Sequence, residues 1–270
     1  MNSLRGLLLG AVILACGVVL QHSADAAPHV QAAPDSTVGT SLIEQGDYCA
    51  LTTFDHAKAI ELYTKGLAAD PGNAELLWRI SRAHVEIGEH LPAETDEEKE
   101  QQLKEYEKAE AFATKAIAAN SKNSMAYTRR AIANGRIALF KGVWESVDLV
   151  KSVKADLDTA LSLDPKNHVA LYVMGRTHLK VAEKPGIIRW PLGLSWADVE
   201  EGIVFFEKAI ALKPQFIMYR LDCARAYIEE DEFEKAREQL TTIETLPNED
   251  QDDDQFRSEA KALLKEIEDE

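Results

Sequence analysis

Five stretches of the chain repeat one arrangement of apolar and polar positions: AKAIELYTKGLAADP at 57–71, KAEAFATKAIAANS at 108–121, VKADLDTALSLDP at 153–165, GIVFFEKAIALKP at 202–214 and FEKAREQLTTIETLP at 233–247. In each, small or apolar residues fall seven apart: Ala59 and Gly66, Ala109 and Ala116, Val153 and Ala160, Gly202 and Ala209, Ala236 and Ile243. Seven residues are two helical turns, so each pair shares one face, where a neighbouring helix approaches closely. Most copies stop at proline, which cannot continue a helix. The segments between them, such as AELLWRISRAHVEIGEH and HVALYVMGRTHLKVAE, carry the same helical period. Val-rich or Thr-rich alternation with a period of two is missing, so the pattern predicts an all-α chain without a sheet.

A unit that recurs every few tens of residues predicts stacked helix pairs, each burying a face it could not bury alone. The unit resembles the tetratricopeptide repeat, a helix pair of about 34 residues with small residues at fixed positions and proline near its end. The last copy matches without interruption through Ala224, Tyr227, Phe233 and Ala236. Gly175 and Ser81 hold the small position in two earlier copies. Copies end at Pro71, Ser121, Pro165, Pro214 and about Pro247, so most intervals exceed the regular length and the excess falls between the two helices of a pair. One insertion, LPAETDEEKEQQLKEYEKA, is charged and suits a prolonged solvated helix; another, KPGIIRWPLGLSW, is apolar. The final segment FRSEAKALLKEI sets Phe256, Ala260, Leu263, Leu264 and Ile267 on one face. The resulting expectation is a right-handed superhelical solenoid of about five irregular tetratricopeptide-like helix pairs with a C-terminal capping helix, over residues 41–270.

Degenerate repeats, the insertion after GRTHLKVAE and the LP-acidic-EAKALL ending together resemble the regulator of microtubule dynamics family, over roughly Ser41 to Lys265. In animals that family's repeat domain is implicated in membrane contacts and lipid binding and follows a membrane anchor and tethering motifs. Here a signal peptide stands in their place, so microtubule or mitochondrial roles do not carry over. The resemblance implies a bacterial relative exported to the periplasm.

The amino-terminal 26 residues supply that signal. Arg5 precedes an apolar run from Leu7 to Leu20, followed by a polar stretch ending in Ala24-Asp25-Ala26. A positive start, a short apolar run and a small-x-small site make a secretory signal peptide cleaved after Ala26. The run is short for a membrane span, which needs ~20 apolar residues. Ile13-Leu14-Ala15-Cys16-Gly17 offers the alternative of a lipoprotein anchored through Cys16. Residues 27–40, small, polar and proline-containing, are expected to be a flexible tether.

Composition narrows the function. Formal charge is −16, which would repel a phosphate backbone, so nucleic acid is not an expected partner. Three scattered cysteines provide neither a C-x-x-C pair nor a disulfide framework. No G-x-S-x-G, phosphate-cradling glycine loop or H-E-x-x-H occurs, and His84 and His90 are wrongly spaced to share one helical face. The run from Glu249 to Asp254 lacks the glycine of a calcium loop and reads as a solvated turn opening the last helix. The expectation is a non-enzymatic protein with no catalytic residue, no required metal and no cofactor.

In this repeat, positions 2, 5, 9 and 12 of the first helix face the concave side, where ligands bind. They fall on Glu75, Trp78, Arg82 and Val85; Met125, Thr128, Ile132 and Gly135; Val169, Tyr172, Arg176 and Leu179; Met218, Leu221, Arg225 and Ile228. Arginine recurs at position 9 in a strongly acidic protein, with Trp78, Tyr172 and Leu221 beside it. Such a groove suits an amphipathic ligand with an anionic group: a peptide or protein segment first, a lipid as the alternative. The competing expectation is that these arginines pair with carboxylates on the next helix. The Asn and Lys set of a chaperone-type carboxylate clamp is absent. In the apolar insertion, Trp190 and Trp196 stand with Ile187, Ile188, Leu192 and Leu194. They either fold back to plug the groove or form a lip that meets a partner or membrane.

Overall fold

The computed structural model describes residues 36–268, so the expected signal peptide, Cys16 and the first part of the expected tether lie outside the described residues. Among the described residues every regular element is a helix. Ten helices form five consecutive antiparallel pairs: α1 (Ser36–Leu51) with α2 (His56–Ala69), α3 (Ala74–His90) with α4 (Asp96–Ala119), α5 (Ser124–Ala138) with α6 (Val143–Leu163), α7 (His168–Ala182) with α9 (Val199–Leu212), and α10 (Ile217–Glu229) with α11 (Phe233–Ile243). The short α8 (Gly186–Arg189) lies in the apolar insertion, and α12 (Asp253–Glu266) packs on α10 and α11 as a cap. Five helix pairs and a cap make the expected helical solenoid. Helix α1 opens at Ser36, inside the stretch expected as a tether.

The small positions seven apart account for the stacking. All ten of the paired residues from Ala59 to Ile243 are buried, most of them completely. At the α7/α9 pair the backbones approach so closely that a Cβ on Gly175 would stand 2.9 Å from the Gly202 carbonyl oxygen and 2.7 Å from the Phe206 ring. Only glycine fits there. The charged insertion of the second pair prolongs α4 as the pattern predicts, opened by a capping box in which Thr95 Oγ1 accepts from the Glu98 N–H and the Glu98 carboxylate accepts from the Thr95 N–H.

Turns between pairs repeat a chemistry of their own. Asp70, Asn120 and Asp164 close one helix, and three residues later Asn73, Asn123 and Asn167 open the next, each asparagine side chain accepting from a backbone N–H of the first turn. At the fourth junction Phe216 takes that position and offers no cap; its ring packs 4.7 Å from Tyr219 instead. Successive first helices touch one another, α3 on α5, α5 on α7 and α7 on α10, and so line one continuous inner face.

Candidate functional site

That inner face carries the residues expected to form the groove, and most of its charge is already spoken for. Arg82 is buried; its guanidinium donates to Asp47 Oδ1 at 2.9 Å and to the Tyr63 hydroxyl at 3.1 Å. Arg79 donates to the same carboxylate and to Glu75. Burial alone would raise the Asp47 pKa, but the Tyr63 hydrogen bond and the two guanidiniums outweigh it and hold the carboxyl below its usual range. Further along, Tyr172 donates its hydroxyl proton to Asp222 Oδ2 at 2.6 Å, and Arg176 donates to both Asp222 and the Tyr172 oxygen. Arg225 pairs with Asp222 and with Glu259 of the cap helix. Each of the three recurring arginines therefore finds a carboxylate on another helix.

Three sequence-derived positions do not reach the groove, Val85 among them, sealed against Ala109 and Ala133. Leu221 is completely buried in the carboxy-terminal core and offers a ligand no surface. Thr128 is likewise sealed, its Oγ1 accepting from Asn167 Nδ2 across the seam between two pairs. Met125, Ile132 and Gly135 of α5 are half-buried while Thr128 is sealed, and the adjacent Arg129 is half-buried in its place.

Arg129 lies among Glu86, Glu89 and Tyr219 on the inner face, half-buried as Glu86 is, while Glu89 is exposed. Burial and the neighbouring Arg82 bring its pKa down to about 10, with Glu86 pulling the other way. It remains a cation at neutral pH. Burial and repulsion from Glu89 push Glu86 up to about 7, against the attraction of Arg129. Trp78 is the aromatic centre of this region: its ring has Arg79 at 4.1 Å, Arg82 at 5.6 Å and Arg129 at 5.8 Å, while its Nε1–H donates to Glu75. Farther round, Glu89 holds Arg136, and His168 pairs with the Tyr219 hydroxyl at 2.8 Å.

The turn between α11 and α12 also reaches this face. Asp253 is buried, and its Oδ2 accepts from the Glu249 and Asp250 N–H groups. The turn so fixed puts Asp252 Oδ1 3.3 Å from His90 Nε2, across 162 residues of sequence, and His90 in turn stacks on His56.

The apolar insertion divides. Trp196 is half-buried against His178, with Leu194 and Ala197 buried beside it. Trp190 and Ile187 are 78% and 85% exposed, and Ile188 is exposed with them. The insertion is thus packed at Trp196 and exposed at Trp190.

Comparison with known proteins fits this architecture. The regulator of microtubule dynamics protein 1 of Bos taurus is 26% identical over 230 residues, covering 83% of this chain and 70% of that protein. The regulator of microtubule dynamics protein 3 of the same animal is 28% identical over 198 residues, and the match spans 70% of this chain but only 40% of that protein. Among solved structures, a thermophilic TPR protein of Thermus thermophilus superposes with a TM-score of 0.63 at 13% identity, covering 84% of this chain and 98% of that one. The pilF protein of Pseudomonas aeruginosa superposes with a TM-score of 0.53 at 14% identity, covering 86% and 92%. The profile described as "Regulator of microtubule dynamics protein 1-3" matches residues 42–268, nearly the whole described region, and this chain belongs to that family.

Proposed function

We propose that this protein is an exported, non-enzymatic binding scaffold whose inner face holds an extended or helical segment of a partner protein. The observation that carries the reading is the continuous inner face of α3, α5, α7 and α10, where an aromatic ring, apolar side chains and unlike charges alternate. Mixed surfaces of this kind recognise amphipathic segments. Export belongs to the proposal through residues 1–26, with the mature chain starting at Ala27 or, alternatively, at a lipidated Cys16.

A second reading, lipid binding at the cell envelope, is favoured by the lip, because Ile187, Ile188 and Trp190 expose a large apolar surface in one short segment. A photo-crosslinking amino acid at Met125 on the inner face, with one at exposed Glu107 on α4 as control, separates the readings. Protein adducts from Met125 alone support the scaffold. Lipid co-purifying in native mass spectrometry, without protein adducts, supports the alternative. N-terminal mass measurement tests export, and an intact Met1 in the exporting host would contradict it.

A further inference from the structure

Among the described residues Arg129 differs from every other arginine. Arg79, Arg82, Arg130, Arg136, Arg176, Arg189, Arg220, Arg225, Arg237 and Arg257 each donate to a carboxylate, carbonyl or amide oxygen. Arg129 donates to none, and its Nε is sealed from solvent without a partner. The Nε of neighbouring Arg82 is sealed and unpaired as well. Arg129 is half-buried, its sealed Nε left without a partner while the rest of the guanidinium stays within reach of the inner face. A sealed N–H of a cation without an acceptor is costly. Nothing in the packing of α5 requires it, since the next residue, Arg130, is fully paired with Asp156.

We propose that Arg129 is a carboxylate-binding subsite of the inner face, taking one Asp or Glu side chain of a bound segment whose adjoining apolar residue lies against the Trp78 ring. The inference rests on the reading of the inner face as a protein-binding groove. A planar guanidinium matches a carboxylate in two parallel N–H to O bonds. Local charge selects a monoanion. Glu86 and Glu89 both act electrostatically on Arg129, so a second negative charge, such as a phosphate carries, would meet repulsion from two carboxyls beside that guanidinium. Trp78, buried but for 8% of its surface, offers the subsite an apolar edge and is held by Glu75, itself tied to Asn123.

A random dodecapeptide library displayed on phage, selected in parallel against the wild-type chain, Arg129→Met and Arg129→Lys, tests the assignment. Wild type should enrich peptides sharing an acidic residue. The synthetic best peptide should bind at least about tenfold more tightly than its Asn or Gln counterpart, a difference erased in Arg129→Met and partly kept in Arg129→Lys. Arg129→Met should melt no lower than wild type, because it removes a guanidinium that makes no hydrogen bond in the folded chain and whose Nε is sealed without a partner, so lost binding would not be lost folding. Enriched peptides without an acidic preference, or the same preference in Arg129→Met, would overturn the subsite and leave the groove reading standing. No enrichment from any variant would overturn the groove reading and the subsite together. Wild-type binding to phosphatidic acid vesicles that Arg129→Met abolishes, with no acidic peptide selected, would assign Arg129 to a phosphate instead.

Discussion

Glu86 shows how much of this surface depends on single ionisations. Its pKa in the folded chain, about 7, lies above that of an unfolded glutamate, so the folded state holds the proton more tightly. Stability tied to this group is complete below the unfolded pKa and is lost as pH rises through the folded value. Glu86→Gln should therefore match wild type near pH 4 and gain on it progressively up to about pH 7, with a constant advantage above, read from urea midpoints across pH. The residues around Glu86 were only partly legible in the sequence. Repeat spacing led to Trp78, Arg82, Tyr172 and Arg176 on the inner helices, because a fixed helical register carries that information. It said nothing of Asp47 and Asp222, which neutralise the arginines from 35 and 46 positions away. It also missed Arg129, because the repeat register pointed to its neighbour Thr128, which is sealed in the seam against Asn167.

Elements are held by two devices of unequal visibility. Asparagine caps follow a local motif, Asp or Asn, two residues, then Asn, that any reader of the chain can find. Their depth is not local. Asn123 caps α5 at the rim, whereas buried Asn167 caps α7 and also donates to Ser124 and Thr128. Asn123→Ala should cost about 1 kcal/mol, and Asn167→Ala about 2–4 kcal/mol because Thr128 and Ser124 also lose a sealed partner, measured by chemical denaturation. Close backbone approach is the second device. Gly175→Ala would gain up to about 1 kcal/mol of helix propensity, yet the added methyl meets a carbonyl that cannot move without shifting α9, so a net loss of about 1–3 kcal/mol is expected in the same assay. In the insertion, exposure separates the two tryptophans. Trp196→Ala should lose about 2–3 kcal/mol of stability, while Trp190→Ala should stay within about 0.5 kcal/mol and act on partner or membrane binding, read by melting and by vesicle co-sedimentation.

For the molecule as a whole, the order of helices was written into the sequence because each repeat solves its packing locally: small residues on one face, a cap and a breaker at each end. Helix pairs and a carboxy-terminal cap follow from that local grammar without knowledge of tertiary contacts. The contact between His90 and Asp252 does not follow from it. Repeat arrays meet only their neighbours as a rule, and this pair joins the second repeat to the turn before the cap. Its consequence concerns time rather than strength. On the proposed reading, a segment seated beneath that turn would have to slide out lengthwise or wait for the turn to lift, so entry and exit would share one gate. His90→Ala should then speed association and dissociation by similar factors and leave the equilibrium constant nearly unchanged, a result that stopped-flow measurements with a selected peptide would show as a shorter residence time at equal affinity.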